Sequence, residues 1–153
     1  MKKLVNFNDG IVFHGNTERI AKVLKKAENK EPITLGYLGG SITQGSLSST
    51  PDTCYAAMTT KWWREQYPNT EFTYVNGGIG GTTSQFGAAR VDSDILAYEP
   101  DFVIIEFSVN DDNTDHFMET YEGLVRHIYN SEDKPAMLIV NNVRYDDGVA
   151  AIA

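Results

Sequence analysis

Residues 33–45, ITLGYLGGSITQG, decide the fold. The opening ITLGYL has the β-branched, aliphatic and aromatic make-up of a strand, and it runs straight into Gly39 and Gly40, a serine, a threonine two positions later and a closing glycine. The same form recurs downstream. EFTYVN (71–76) is a second strand, followed by the glycine-rich GGIGGTTSQFG. DFVIIEF (101–107) is a third, apolar almost throughout as a strand covered on both faces is, and SVNDDNTD follows it as a loop.

Helical segments separate these strands. NTERIAKVLKKAENKEP (16–32) places Ile20, Val23, Leu24 and Ala27 at helical spacing, with a cap-type residue before them and lysines in the last turns. After the small polar loop SLSSTP, Asp52 or Thr53 is expected to cap a helix through CYAAMTTKWWREQY that Pro68 terminates. SQFGAARVDSDILAY (84–98) is expected to form two helical pieces, because Asp92 and Ser93 suit caps better than helix interiors. Phe117, Tyr121, Leu124, Val125 and Ile128 mark a further helix with Asp115 as its cap, and AMLIVNN (136–142) is a fourth strand. Alternating β and α elements with short connections predict an α/β fold, a parallel sheet between two helical layers. There is no solenoid-type repeat, low-complexity tract or long linker. At 153 residues the chain is expected to be a single domain, 1–153, with one core, burying roughly 70% of its unfolded surface.

Lysine and arginine number 13 against 21 acidic residues, a net charge of 13 − 21 = −8 with no basic run, which argues against nucleic acid as a partner. The single cysteine, Cys54, can form no intramolecular disulfide, which fits a reducing compartment. MKKLVNFNDG opens with two lysines, but Asn6, Asn8 and Asp9 interrupt the apolar stretch that a signal peptide needs, so a cytoplasmic location is expected. The apolar runs fall far short of the ~20 residues of a membrane helix, and no membrane partner is expected.

Loops at the carboxyl ends of parallel strands gather along one edge, where such folds bind ligands. Each of the three is ordinary when taken singly. Turn glycines after strands are common, serines and threonines cap helices, and Asn110 and Asp111 are usual turn residues. Their joint order and contents, however, resemble the SGNH hydrolases, the GDSL family of esterases and lipases. GGSITQG keeps that family's serine and closing glycine, with Gly40 where aspartate is usual. VNGGIGGTTSQFGAAR matches the second motif with Gly81 at the functional position. SVND matches the third with Asn110, Ser108 standing in place of glycine.

The resemblance spans residues 33 to about 143. It implies a three-layer, flavodoxin-like fold and a serine esterase that needs no cofactor or metal. Ser41 would be the nucleophile, and the amides of Ser41 and Gly81 and the side chain of Asn110 would bind the negative oxygen of the tetrahedral intermediate. Gly39 and Gly40 let the backbone turn and a substrate approach. The substrate expected is a small acyl ester, an O-acetylated carbohydrate before a long lipid, because no apolar lid accompanies the motifs. Trp62 and Trp63 point in different directions from one helix, and at least one belongs to the core.

The family's base comes from an Asp-x-x-His motif after its last strand, and no histidine here has aspartate at that offset. His127 has Leu124 there and His116 has Asn113, while His14 precedes the fold. His116 is a candidate substitute base, although a helix start capped by Asp115 already explains that pair. Asp111 and Asp112 could hold a metal or activate water, with a turn role the simpler account. The chain reaches DDGVAAIA just past the fourth strand, so an incomplete domain is expected, lacking its last helix, strand and base. Residues 1–153 alone would then show little esterase activity and leave apolar surface uncovered. Two other readings are a catalytically inactive binding module and a phosphate- or nucleotide-binding domain using GGIGGTTS at a helix start. The second lacks both the Gly-Lys-Ser/Thr and the Gly-x-Gly-x-x-Gly patterns.

Overall fold

The computed structural model describes residue 11 and residues 13–142. The readings of MKKLVNFNDG and of DDGVAAIA lie outside the described residues. The elements follow in the order α1 (Glu18–Glu28), β1 (Ile33–Gly39), α2 (Ser41–Gln44), α3 (Tyr55–Gln66), β2 (Phe72–Gly78), α4 (Ser84–Asp94), β3 (Phe102–Glu106), α5 (Asp115–Asn130) and β4 (Ala136–Ile139). The four strands form one parallel sheet in the order β2-β1-β3-β4.

Side-chain alternation along the strands divides the interior between the two faces of the sheet. Ile33, Leu35 and Tyr37 of β1, with Phe102 and Ile104 of β3, pack against Val23 and Ala27 of α1 and Ala56 and Trp63 of α3. Leu38, Val103, Ile105 and Phe107 point the other way, against Val91, Ile95, Leu124 and Ile128 from the α4 and α5 side. The core therefore lies on both sides of the sheet, as a sheet between two helical layers requires. Trp63 is 4% exposed, stacked on Tyr67 and near Phe72 and Phe102, whereas Trp62 is 51% exposed, so one tryptophan belongs to the core.

Three expected helix boundaries move. Neither Asp52 nor Thr53 caps α3: Pro51–Thr53 forms a separate 3-10 turn closed by Thr50 and Thr53, and the Cys54 sulfur accepts the Ala57 N–H as N-cap. Asp92 and Ser93 lie inside α4, which breaks at Ile95 before a 3-10 turn over Leu96–Tyr98. There Ser93 bonds back to the Arg90 carbonyl within the helix and Asp92 meets His127 across the helix pair, so a local bond and a tertiary partner together override the capping preference. Thr114 rather than Asp115 caps α5, its hydroxyl accepting the Phe117 N–H.

Strand β4 borders the sheet, with Leu138 and Ile139 48% and 44% exposed. Among the described residues no helix is long and apolar enough to cross a membrane.

Candidate functional site

Helix α2 is a single turn starting at Ser41, two residues beyond the end of β1, and Gly45 closes it at φ +97°. The first N–H groups of a helix have no intrahelical acceptor, so the Ser41 N–H is available. The Ser41 hydroxyl makes no hydrogen bond among the described residues and is half-buried.

The turn is braced from several sides. Thr43 is buried, its hydroxyl 2.9 Å from that of Tyr55, and Asn76 Nδ2 donates to the Thr43 carbonyl at 2.9 Å. Burial, with a smaller contribution from the Glu106 charge, pushes the Tyr55 phenol up to about 12. Tyr55 therefore stays neutral at ordinary pH and exchanges hydrogen bonds with Thr43 without adding charge. From the β2 side, Gly78 lies directly against α2: a Cβ there would meet main-chain atoms of Thr43 and Gln44 at less than 3.0 Å.

The loop leaving β2 carries Gly81 at φ +73°, in the left-handed region that glycine enters without steric cost. A Cβ on Gly81 would find nothing within 4 Å. The neighbouring Gly80 N–H is taken by Gln44 Oε1 at 2.8 Å, which leaves the Gly81 N–H without an acceptor among the described residues. A Cβ on Gly80 would lie 3.7 Å from that of Ser41, so this loop borders the serine.

Asn110 arrives from the turn after β3, its N–H bonded to the Phe107 carbonyl at 2.9 Å. Its Oδ1 is buried without a hydrogen bond and lies 2.6 Å from where a Cβ on Gly40 would stand. Its Nδ2 makes no hydrogen bond among the described residues, which leaves it as a candidate donor to a ligand. The structure thus gathers Ser41, Gly81 and Asn110 at one edge of the sheet, as the sequence reading expects. Gly40, where the family has aspartate, is the residue that lets Asn110 approach this closely.

None of the three histidines bonds to Ser41. His116 is exposed on the first turn of α5, its Nε2 3.4 Å from Gln85 Oε1 and its ring edge-on to Phe117. His127 Nε2 lies 2.6 Å from Asp92 Oδ1 on the exposed α4–α5 surface, and His14 precedes α1. Asp111 takes a structural part: Oδ1 accepts the Ser84 N–H at 2.9 Å, at the start of α4. That carboxylate already occupies the positive end of the helix to which the phosphate-binding reading assigned an anion. Among the described residues no cluster of His, Cys, Asp or Glu could hold a metal ion.

Three further polar side chains beneath these loops carry weight that the sequence reading did not assign. Gln44 fixes Gly80 as described. Glu106, fully buried at the end of β3, accepts from the Ser108 hydroxyl at 3.2 Å, and Ser108 also bonds both backbone groups of Asn142. Ser108, the departure from the family's glycine, thereby joins the turns after β3 and β4. Arg90, 7% exposed in mid-α4, reaches the strand ends. A single charge within an apolar strand or a weakly patterned helix was the only signal for Glu106 and Arg90. The phenol of Tyr121, buried without a partner, is raised by its burial and then by the nearby Glu106 and Asp111 charges.

The profile of the GDSL-like lipase/acylhydrolase family matches residues 37–151. Thioesterase 1/protease 1/lysophospholipase L1 of Escherichia coli (strain K12) is 30% identical over 108 residues, 71% of this chain and 48% of that protein. A two-domain esterase active on acetylated mannans has 57% sequence identity and a TM-score of 0.91, over 94% of this chain and 38% of that one. The same type of esterase co-crystallised with mannopentaose gives 56% and 0.92, over 95% and 40%. A catalytic mutant of an acetylxylan esterase from Geobacillus stearothermophilus shares the fold, with a TM-score of 0.58 at 21% identity over 70% of this chain and 58% of that one. The chain spans about half the length of the curated relative that it matches and about two fifths of the two-domain esterase. With the family profile covering all three loops and most of the sheet, this chain belongs to the GDSL-like lipase/acylhydrolase family.

Proposed function

We propose that these residues carry the nucleophile and oxyanion site of a serine esterase that removes short acyl groups, acetyl in the first place, from a mannan-type carbohydrate. The observation that carries this reading is an unbonded serine hydroxyl bordered by the Gly80–Gly81 loop, with the N–H groups of Ser41 and Gly81 and the Asn110 Nδ2 all without an acceptor among the described residues. Ser41 and Asn110 are half-buried, where donors are normally paired, and Gly81 presents an exposed one, so unused donors beside a free hydroxyl suit a ligand oxygen. The acetyl and mannan assignments rest on likeness to the two-domain esterase.

Ser41 Oγ attacks the ester carbonyl carbon while its proton passes to a base, and the carbonyl electrons move onto oxygen, where the three donors receive the charge. Collapse expels the alcohol, which takes back the proton, and leaves an acyl group on Ser41. Water, losing a proton to the same base, then releases the acid and restores the serine. The base in this reading is none of the three histidines of the sequence, because His116 and His127 lie against Gln85 and Asp92 and His14 precedes α1.

Acetate release from acetylated mannan is the deciding assay, run beside esters of longer acyl chains. Ser41-dependent release, falling as the acyl chain lengthens, is expected. Release that is independent of Ser41, or confined to long acyl chains, would overturn the assignment.

The departure at Gly40 gives a second test. An alanine there must push Asn110 aside, since the new methyl would stand 2.6 Å from Oδ1 and 3.4 Å from the Thr82 carbonyl. Misplacing one donor should lower kcat by about tenfold or more. Thermal unfolding should shift by only a few degrees, about 1 kcal/mol. Unchanged kcat in Gly40→Ala would show that Asn110 has no part in turnover.

A further inference from the structure

Arg90 is a charged side chain in a place where charges are rarely left, 7% exposed on the inner side of α4. Its guanidinium makes three bonds. Nη1 donates to the Gly77 carbonyl at 2.5 Å and to Asp94 Oδ2 at 2.8 Å, and Nη2 donates to the Gly39 carbonyl at 3.1 Å. Phe86 covers it, with its ring centroid 5.7 Å from the guanidinium carbon.

The two carbonyls are the informative part. Gly39 is the last residue of β1 and Gly77 the penultimate residue of β2, on adjacent strands in which Leu38 pairs with Gly77 and Gly39 with Gly78. From the first end the chain runs through Gly40 to Ser41, and from the second through Ile79 and Gly80 to Gly81. The Gly39 carbonyl also accepts the Ile79 N–H at 3.1 Å, so one oxygen joins the guanidinium, the nucleophile strand and the loop of Gly81.

We propose that Arg90 is a positioning residue that fixes the spacing between Ser41 and the Gly81 amide by holding the carbonyls of Gly39 and Gly77 in one planar fork. The proposal rests on the esterase reading above. Only arginine supplies several donors in a rigid plane at constant charge, whereas lysine offers a point charge on a flexible stem. Asp94 balances the charge and is itself held below the usual carboxylate range, chiefly by its hydrogen bond from Arg90. Because Asp94 hydrogen-bonds only Arg90 and Ser93 among the described residues, the two contributions can be separated.

The test compares Arg90→Lys and Asp94→Asn in the full-length protein. Arg90→Lys is expected to lower kcat by about 10- to 100-fold with KM nearly unchanged, the signature of a misaligned rather than an absent site. Asp94→Asn should keep kcat. The amide resonances of Ile79 and Gly81 should shift in Arg90→Lys, with faster hydrogen exchange at Ile79, while those of β4 stay in place. Full kcat in Arg90→Lys, or a loss that merely follows the unfolded fraction, would refute the positioning role, as would unmoved Ile79 and Gly81 amides. If the parent protein shows no Ser41-dependent hydrolysis, the esterase reading fails, and the amide shifts still decide whether Arg90 sets the two turns.

Discussion

Replacing Ser41 with alanine is expected to lower acyl-ester turnover by about 10⁴-fold or more, the scale of loss when an acyl-enzyme nucleophile is removed. Stability should hardly change, within about 0.5 kcal/mol, because the hydroxyl has no partner among the described residues and sits on the first turn of α2, where alanine is tolerated. A fluorophosphonate probe separates the possibilities at once. Labelling of the parent protein and none of Ser41→Ala is expected, with matching thermal midpoints. Equal labelling of both proteins would place the nucleophile elsewhere. A structural serine would show the reverse pattern, a lower midpoint with turnover retained.

Substitutions at Asn110 come next in size. Asn110→Ala removes one oxyanion donor and should lower kcat by about 10² to 10³, with KM changed far less, because the bond strengthens only as negative charge develops on the substrate oxygen. Asn110→Asp should be worse than alanine although it keeps the shape. It swaps the donor for a carboxylate aimed at a developing anion, close to Asp111, whose Oδ2 is already buried without a partner. A kcat for Asn110→Asp above that of Asn110→Ala would mean that Asn110 does not face the oxyanion. Steady-state kinetics on a short-chain ester at constant pH would show it.

Much of this was legible in the sequence, for physical reasons that differ by element. The strands could be read because parallel strands buried on both faces are continuous apolar runs, and DFVIIEF is one. The gathering of Ser41, Gly81 and Asn110 at one edge followed from strand direction alone, and the close packing at Gly40 and Gly78 explains why glycines stand there. The caps were misread because local preference competes with distant partners. Asp92 suits a helix end by itself, yet His127 lies 2.6 Å from it across the helix pair, and Cys54 serves as a cap through a sulfur that capping rules seldom count. Arg90 was invisible for a related reason: a lone arginine in a helix reads as a solvated face, and its carbonyl partners lie 51 and 13 positions away in sequence.

Gly78 bears on how this family can change. The nucleophile turn approaches that residue most closely through main-chain atoms, and Gly81 presents a main-chain amide, so much of the reactive geometry is written in backbone rather than in side chains. Around it, Ile42, Leu47 and Ile79 are exposed side chains on the same loops. Drift or laboratory selection can therefore exchange the rim one residue at a time and explore new alcohols or acyl groups, while the chemistry beneath is inherited unaltered.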